Sequence, residues 1–153
     1  MKISDILAEA SVALNVKVDS KSELIEFLLD LAVKSGSVIS REDALKEILK
    51  REEIMSTGIG KEIAMPHAKT NSVKNSVGAL AVLADPIDFD SLDKEPVRIA
   101  FLILGREDNV GNHLRILSKI SRMFNNDAFK KKILDSRTIQ EVTSTLGEFD
   151  NNI

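Results

Sequence analysis

The sequence predicts an α/β fold in which one mixed sheet lies between layers of helices. Segments with helical periodicity alternate along the chain with segments of extended character. Residues 77–83 and 97–104 are almost continuously apolar, a pattern typical of buried strands. The connection between them, DPIDFDSLDKEP, has the composition of a loop and shows no helical pattern. These two strands are therefore expected to pair antiparallel, within a sheet that also contains parallel strands.

Length and composition bound the organisation of the protein. With 153 residues, 43% of them hydrophobic, the sequence predicts one globular domain over residues 1–147 and a frayed tail over residues 148–153. No apolar run reaches the ~18 residues that a membrane span requires. The first residues, MKISDILAEA, lack the basic head and apolar core of a secretory signal. We therefore expect a cytoplasmic protein.

Composition also argues against several functions. The chain has no cysteine, which excludes disulfides, thiolate metal sites and thiol nucleophiles. Its 21 basic and 24 acidic residues give a net charge of -3, and the basic run at residues 130–132 fits a solvated helix face. Tyr and Trp are absent. Binding of nucleic acid and aromatic stacking on bases or sugars are therefore not expected, and neither is a cofactor or a metal.

The first third of the chain contains signals for one strand and two helices. Residues 14–18 alternate between apolar and polar side chains, which predicts a short strand. Ser20 and Glu23 have the spacing of a capping box, and apolar residues follow at helical spacing as far as Gly36. A second helix is expected to begin near Ser40, with acids in its first turn, and to end near Arg51.

The remaining elements follow from the same kinds of pattern. The strand over residues 77–83 is expected to stop at Asp85-Pro86, and the strand over residues 97–104 before Gly105. A third helix is expected from His113, with a stripe formed by Leu114, Leu117, Ile120, Ser121 and Phe124. Two short helices are expected over residues 127–134 and 138–146.

The chemistry is concentrated in residues 51–69, REEIMSTGIGKEIAMPHAK. Gly58 and Gly60 allow positive φ and a close backbone approach, and their N–H groups are candidates to cradle a phosphoryl group as an anion nest does. Residues 63–65 have extended character, and Pro66 keeps the residue before it out of a helix. We therefore expect His67 on a constrained turn.

Three side chains suit the transfer of a phosphoryl group through a histidine. The acceptor, His67, must be a neutral and accessible imidazole whose second nitrogen is oriented by a hydrogen bond. The dipole at a helix start disfavours protonation of His113, which leaves it a neutral hydrogen-bonding partner for a phosphoryl oxygen. The planar guanidinium of Arg51 suits phosphate and compensates its charge. Transfer of this kind needs no metal.

Each of these residues also has a structural interpretation. A histidine after a proline is commonly structural, His113 fits a helix start bonded to backbone, and the dipole alone favours Arg51 at a helix end. The nearby acids are interpreted as solvated loop and helix-end charges: Glu52, Glu53, Asp85, Asp88 and Asp90.

The segment STGIGKEIAMPHAK, preceded by Arg51 in KREEIM and followed by HLRIL after Asn112, resembles a known family. This is the mannitol/fructose/nitrogen-regulatory class of IIA domains (EIIA type 2) of the bacterial phosphoenolpyruvate-dependent sugar phosphotransferase system, and the resemblance covers nearly the whole chain. It implies that His67 is the phosphorylated histidine, His113 the second active-site histidine and Arg51 the arginine near them. It also implies a mixed sheet of about five strands flanked by helices on both faces.

The resemblance implies a phosphotransferase component that accepts a phosphoryl group from phosphorylated HPr, or from its nitrogen-branch relative. The acceptor is then a cysteine of a IIB domain, for uptake of a sugar of the fructose or mannitol type, with the membrane reached only through IIB and IIC. The alternative is a regulatory protein of the nitrogen type that binds target proteins according to its phosphorylation state. A metal-dependent hydrolase using His67 and His113 is a third hypothesis, which no HxxxH or HxH spacing supports.

One residue departs from the family pattern. Glu62 stands where the family usually has a second glycine before the IA pair. Its carboxylate is expected near the phosphoryl site, where it would repel the phosphoryl group, contact a partner or point into solvent.

Overall fold

The computed structural model describes residues 2–151 of the chain. Within this range, 3₁₀ turns at Ile3–Asp5 and Glu9–Ser11 precede the first strand. The helices are α1 (Lys21–Val33), α2 (Arg41–Ile54), α3 (Val110–Phe124), α4 (Asp127–Asp135) and α5 (Ile139–Asn151). The strands are β1 (Val12–Val16), β2 (Gly58–Gly60), β3 (Ile63–Ala64), β4 (His67–Lys69), β5 (Val77–Ile87) and β6 (Val97–Gly105). None of these helices is long and apolar enough to cross a membrane.

The strands of the described residues form one mixed sheet in the order β1-β5-β6-β3-β2. Strand β4 pairs with β6 on the same edge as β3, further along β6. Strands β5 and β6 are antiparallel, whereas β1 is parallel to β5, and β3 and β4 are parallel to β6. The predicted mixed α/β sheet, with an antiparallel pair between the two long strands, is confirmed.

Helices cover both faces of this sheet. Alternate residues of β5 and β6 point to opposite faces, so that Ala79 and Leu102 belong to one apolar cluster and Leu80 and Phe101 to another. The first cluster includes the buried apolar residues of α1 and α2, and the second includes those of α3, α4 and α5. Because both faces of the long strands are buried, their sequences are apolar at nearly every position.

Strand β5 is longer than predicted. It continues through Asp85 and Pro86 to Ile87, which pairs with Val97 of β6. The register shifts between Val82 and Ile87, so the proline lies in an irregular stretch of the ladder, where a residue without an N–H is tolerated. The prediction that this strand stops at Asp85-Pro86 is therefore wrong.

The first two helices begin where their caps predict. The Ser20 hydroxyl accepts a hydrogen bond from the Glu23 N–H at 3.2 Å, while the Glu23 carboxylate accepts from the Asp19 N–H at 2.7 Å, so the capping box is shifted by one residue. Ser40 caps α2 in the same way. Helix α2 then continues past its predicted end to Ile54, which places Arg51 within its last turn.

Helix α3 begins earlier and faces differently than predicted. It starts at Val110, so His113 lies in its first turn and points inward. Leu114 is 58% exposed and Ser121 is exposed, which makes the predicted stripe wrong at both positions. The buried face consists of His113, Ile116, Ile120, Met123 and Phe124.

The C-terminal residues continue α5 as far as Asn151, so the expectation of a frayed tail is corrected for residues 148–151. Asp150 is buried and accepts hydrogen bonds from the N–H groups of Ile3, at 2.8 Å, and Ser4, at 3.2 Å. Its carboxylate also forms an ion pair with Lys119 at 2.9 Å. These contacts join the end of the chain to its beginning; residues 152 and 153 lie outside the described residues.

Candidate functional site

His67, His113 and Arg51 line one cavity of about 380 Å³. The C-terminal half of α2, strand β4 and the N-terminal half of α3 all contribute residues to the cavity. The structure thus brings together the three side chains to which the sequence assigns one function. The other lining residues are Glu47, Lys50, Ile54, Ala68, Lys69, Leu114 and Leu117.

His67 is the first residue of strand β4 and does not lie in a turn as predicted. It is held in extended backbone because β4 pairs parallel with β6, where His67 lies opposite Ile103. The ring nitrogen Nδ1 of His67 lies 2.8 Å from the carbonyl oxygen of Met65. Since a carbonyl oxygen only accepts, Nδ1 carries the proton of the neutral ring, and Nε2 has a free lone pair.

His113 is the more deeply buried of the two histidines, with 4% of its surface exposed. Its ring centroid lies 5.9 Å from that of His67, and the two ring planes are tilted by 50°. Its Nδ1 is buried against the backbone of Gly105 without a hydrogen-bond partner. Nε2, on the opposite side of the ring, is therefore the nitrogen of His113 that remains available to a ligand in the cavity.

Both histidines are held neutral. Burial lowers the pKa of His67 below its ordinary value; the hydrogen bond to Met65 acts against this, and the positive charge of Arg51 lowers the pKa further. Burial, His67 and Lys69 together lower the pKa of His113 to about 4. The predicted direction for His113 is thus correct, but its main cause is burial and not the helix dipole.

Arg51 lies in the last turn of α2, where its Nη1 donates to the carbonyl oxygen of Met55 at 2.8 Å. This bond satisfies a carbonyl at the helix end and fixes the guanidinium beside the cavity. Lys50 and Lys69 also line the cavity, and Glu47 is the one acid among the described residues that line it. Basic side chains therefore outnumber acidic ones, which favours an anionic ligand. Within residues 2–151, no group of three or more His, Cys, Asp or Glu side chains is placed to hold a metal ion.

Gly58 and Gly60 are not among the residues that line the cavity, so the structure gives no support to the expectation that they cradle a phosphoryl group. A Cβ on Gly58 would lie 2.9 Å from the Cα of Ser91, and one on Gly60 would lie 2.9 Å from Asp93 Oδ2. The N–H of Gly58 already donates to the hydroxyl of Ser56 at 3.1 Å. Of Gly58 and Gly60, only Gly60 has a positive φ, of 95°. Both glycines thus allow the backbone to pack closely against residues 91–93.

Glu62, the departure from the family pattern, lies in the turn between β2 and β3. Lys61 and Glu62 both have positive φ, of 55° and 71°, as a tight hairpin turn requires. The Glu62 carbonyl accepts from the N–H groups of Arg98, at 2.9 Å, and Ile99, at 3.1 Å. Its side chain is not among those lining the cavity. This placement gives no support to repulsion between Glu62 and a group on His67.

Sequence reasoning missed Glu52, whose side chain is 5% exposed and not solvated as predicted. Its carboxylate accepts from the N–H of Thr57 at 2.9 Å and from the Thr57 hydroxyl, and pairs with Lys21 at 2.9 Å. A signal for this burial was present, because Glu52 continues the buried positions Ala44 and Ile48 at a spacing of four residues.

Comparisons with known proteins point to one family. The family model described as phosphoenolpyruvate-dependent sugar phosphotransferase system, EIIA 2, matches residues 5–148. The fructose-specific EIIA component of Haloferax volcanii is 39% identical over 146 residues, which cover 95% of each chain. The nitrogen regulatory protein IIA-Ntr from Neisseria meningitidis has a TM-score of 0.88 at 31% identity, covering 94% of this chain and 98% of that one. Enzyme IIA mannitol from Escherichia coli, solved in complex with phosphorylated enzyme IIB, shares the fold, with a TM-score of 0.80 at 20% identity over 93% of this chain and 97% of that one.

Proposed function

The chain belongs to the EIIA 2 family of the phosphoenolpyruvate-dependent sugar phosphotransferase system, and from this premise we propose that it is a phosphocarrier with a phosphohistidine intermediate at His67. It takes the phosphoryl group from phosphorylated HPr, or from a nitrogen-branch relative, and passes it to a second protein. One observation carries the assignment of His67: the hydrogen bond from Nδ1 to the Met65 carbonyl, at 2.8 Å, leaves Nε2 with a free lone pair.

Phosphorylation of His67 is a substitution at phosphorus. The lone pair of Nε2 forms the new N–P bond while the bond between phosphorus and the donor breaks, and the electron pair of that bond returns to the donor. No proton has to leave the attacking nitrogen, because the ring proton sits on Nδ1 and stays bonded to the Met65 carbonyl. The lowered pKa of His67 keeps this neutral form dominant at pH 7.

The other cavity residues stabilise the transferred group. A phosphoryl group adds a charge of about -1.5 to -2, which Arg51, Lys50 and Lys69 offset at the cavity wall. His113 donates through Nε2–H to a phosphoryl oxygen, because its Nδ1 is buried against Gly105. These fixed donors and charges supply the electrostatic part of the catalysis.

For the acceptor, we propose the cysteine of a IIB domain in a sugar-uptake system of the fructose or mannitol type. The fructose-specific EIIA component of Haloferax volcanii, 39% identical over nearly the whole of both chains, supports the fructose type. The mannitol IIA that shares this fold was solved with phosphorylated enzyme IIB, which supports a IIB domain as partner. Contact with the membrane is then indirect, through IIB and IIC.

A second candidate function is regulation of the nitrogen type, in which the same phosphohistidine controls binding to target proteins. The observation in its favour is the TM-score of 0.88 to IIA-Ntr from Neisseria meningitidis, at 31% identity. Both candidates use the same chemistry at His67 and differ in the protein that binds next.

The test of the carrier role is incubation with phosphoenolpyruvate, enzyme I and HPr, followed by intact-mass measurement before and after an acid wash. Wild type is expected to gain one acid-labile phosphoryl group, and His67→Ala to gain none while remaining folded. Lys131→Ala, on the exposed face of α4, is the control and should label like wild type. Equal labelling of His67→Ala and wild type would overturn the assignment; a wild type that is labelled only by the nitrogen-branch donor would favour the regulatory function.

The acceptor is tested by adding a fructose-type IIB domain to the phosphorylated chain. Transfer to the IIB cysteine supports sugar uptake, whereas retention of the phosphoryl group favours the regulatory candidate. His113→Ala should still accept the phosphoryl group but transfer it slowly, because a hydrogen-bond donor to the group is missing. A normal onward rate in this variant would show that His113 has only a structural role.

A further inference from the structure

The buried charge of Glu52 is the feature of this region that the proposed chemistry leaves unexplained. A carboxylate inside a protein is destabilising unless its charge is paired and its oxygens are hydrogen-bonded. Glu52 meets both conditions, with Lys21 at 2.9 Å and with both the N–H and the hydroxyl of Thr57 as donors. Lys21 is itself held over the ring of Phe89, 4.7 Å from its centroid. These contacts therefore hold the Glu52 carboxylate in one position near the end of α2.

A series of hydrogen bonds connects the Glu52 carboxylate to His67. The carbonyl oxygen of Thr57 accepts from the N–H of Met65 at 2.9 Å. The carbonyl of the same Met65 accepts from Nδ1 of His67 at 2.8 Å. Thr57 and Met65 thus connect the carboxylate of Glu52 to the nitrogen that sets the tautomer of His67.

The same contact also fixes the partner of Arg51. The bonds between Glu52 and Thr57 close a short loop over residues 52–57, and Met55 lies within this loop. Its carbonyl is the group that accepts from Arg51 Nη1 at 2.8 Å. Met55 is 56% exposed, so packing of its side chain does not hold the carbonyl in place. The bonds between Glu52 and Thr57, which close the loop, hold this carbonyl in place.

We propose, as a refinement that rests on the proposed function, that Glu52 is a positioning residue for phosphoryl transfer. Its hydrogen bonds to Thr57 hold in place the Met65 carbonyl, which orients His67, and the Met55 carbonyl, which orients Arg51. When the hydrogen bonds between Glu52 and Thr57 are lost, the Met65 carbonyl is free to move and the Nε2–H tautomer of His67 becomes populated. In that tautomer the attacking nitrogen has no lone pair to offer, so the rate of phosphorylation falls.

The tautomer of His67 is a readout that a purely structural role of Glu52 would leave unchanged. It is measured by nitrogen-15 NMR of the imidazole rings in the unphosphorylated protein at pH 7.5. Wild type should show the Nδ1–H form, and Glu52→Leu and Thr57→Val should show a mixture of both forms. Glu52→Gln and Thr57→Ser retain a hydrogen-bonding group and should return towards the wild-type spectrum. Glu53→Leu, the same change at the exposed neighbour, is the matched control.

The rate is measured as a single turnover with saturating phosphorylated HPr. Glu52→Leu should phosphorylate about tenfold to a hundredfold more slowly than wild type, as displaced catalytic groups commonly do, while Glu53→Leu should match wild type. A Glu52→Leu protein with His67 wholly in the Nδ1–H form and a wild-type rate would overturn the proposal. If Glu52→Leu does not fold, the same two measurements on Thr57→Val and Thr57→Ser test the proposal. It is overturned if Thr57→Val has the tautomer and the rate of wild type. The tautomer measurement needs no phosphoryl donor, so its outcome stands even if wild type proves not to be phosphorylated.

Discussion

The close packing of Gly105 against His113 predicts the effect of a single added methyl group. A Cβ on Gly105 would lie 3.0 Å from the Cγ and 3.2 Å from the Cβ of His113, and closer still to Nδ1. Favourable contacts between such atoms are about 3.5–4.0 Å. The Gly105→Ala change therefore displaces the His113 ring by about 1 Å or forces an equivalent shift of β6.

The displacement sets the expected size of the effect. A misplacement of about 1 Å in a catalytic group lowers a rate by up to about a hundredfold, and overpacking of this kind destabilises a protein by about 1–3 kcal/mol. Gly105→Ala should thus accept a phosphoryl group but pass it on as slowly as His113→Ala does. Rapid-quench transfer to the acceptor protein measures the rate, and urea unfolding measures the stability.

A second substitution tests whether the clash is the cause. In the double variant Gly105→Ala, His113→Ala the methyl group has no ring to displace, so part of the lost stability should return and the transfer rate should equal that of His113→Ala. Gly147→Ala is the matched control, because a Cβ there meets no atom within 4 Å. It should leave transfer unchanged and stabilise α5 by up to about 1 kcal/mol. A wild-type onward rate in Gly105→Ala would refute the reasoning.

Two further predictions concern stability. The pKa of His113 is about 4 in the folded protein but about 6.5 in an unfolded chain, so unfolding takes up a proton between these values. The free energy of unfolding should then fall by about 3 kcal/mol as the pH drops from 7 to 4. In urea unfolding, the His113→Gln variant should lose less free energy of unfolding between pH 7 and pH 4 than wild type. An equal dependence of this free energy on pH in the two proteins would contradict the prediction. Asp150→Ala removes the acceptor for the Ile3 N–H and the ion-pair partner of Lys119, and should lower stability by about 3–5 kcal/mol. Glu148→Ala, which breaks an exposed pair, should cost under about 1 kcal/mol; equal losses would refute the distinction.

The parts of the fold that local patterns determine could be predicted. The apolar runs locate β5 and β6, because a strand buried on both faces needs an apolar side chain at nearly every position. Ser20 and Ser40 locate the starts of α1 and α2, because a cap acts on N–H groups only a few residues away. Arg51 and His67, which the motif places close together in sequence, line one cavity with His113, which is distant in sequence and was placed with them by the family resemblance.

Features that depend on distant contacts were not predictable from local patterns. Strand β4 has three residues and no periodicity, and exists because β6 pairs with it. The last turn of α5 is held by Asp150, whose partners lie at the other end of the chain. The positions of Gly58 and Gly60 outside the cavity lining were not predictable, because freedom in φ does not say which way an N–H group points. Glu52 looked solvated because its partner Lys21 lies on another helix.

The charges around the cavity serve both states in the proposed reaction. Before transfer, positive charge adds to the effect of burial on both histidines. Arg51 lowers the pKa of His67, and Lys69 lowers the pKa of His113. After transfer, the same cations offset the charge of about -1.5 to -2 that the phosphoryl group adds. Carboxylates in place of Arg51 and Lys69 would reverse both effects, raising the pKa of His67 and repelling the phosphoryl group. The sign of these charges is therefore a requirement of the proposed chemistry, for either proposed acceptor.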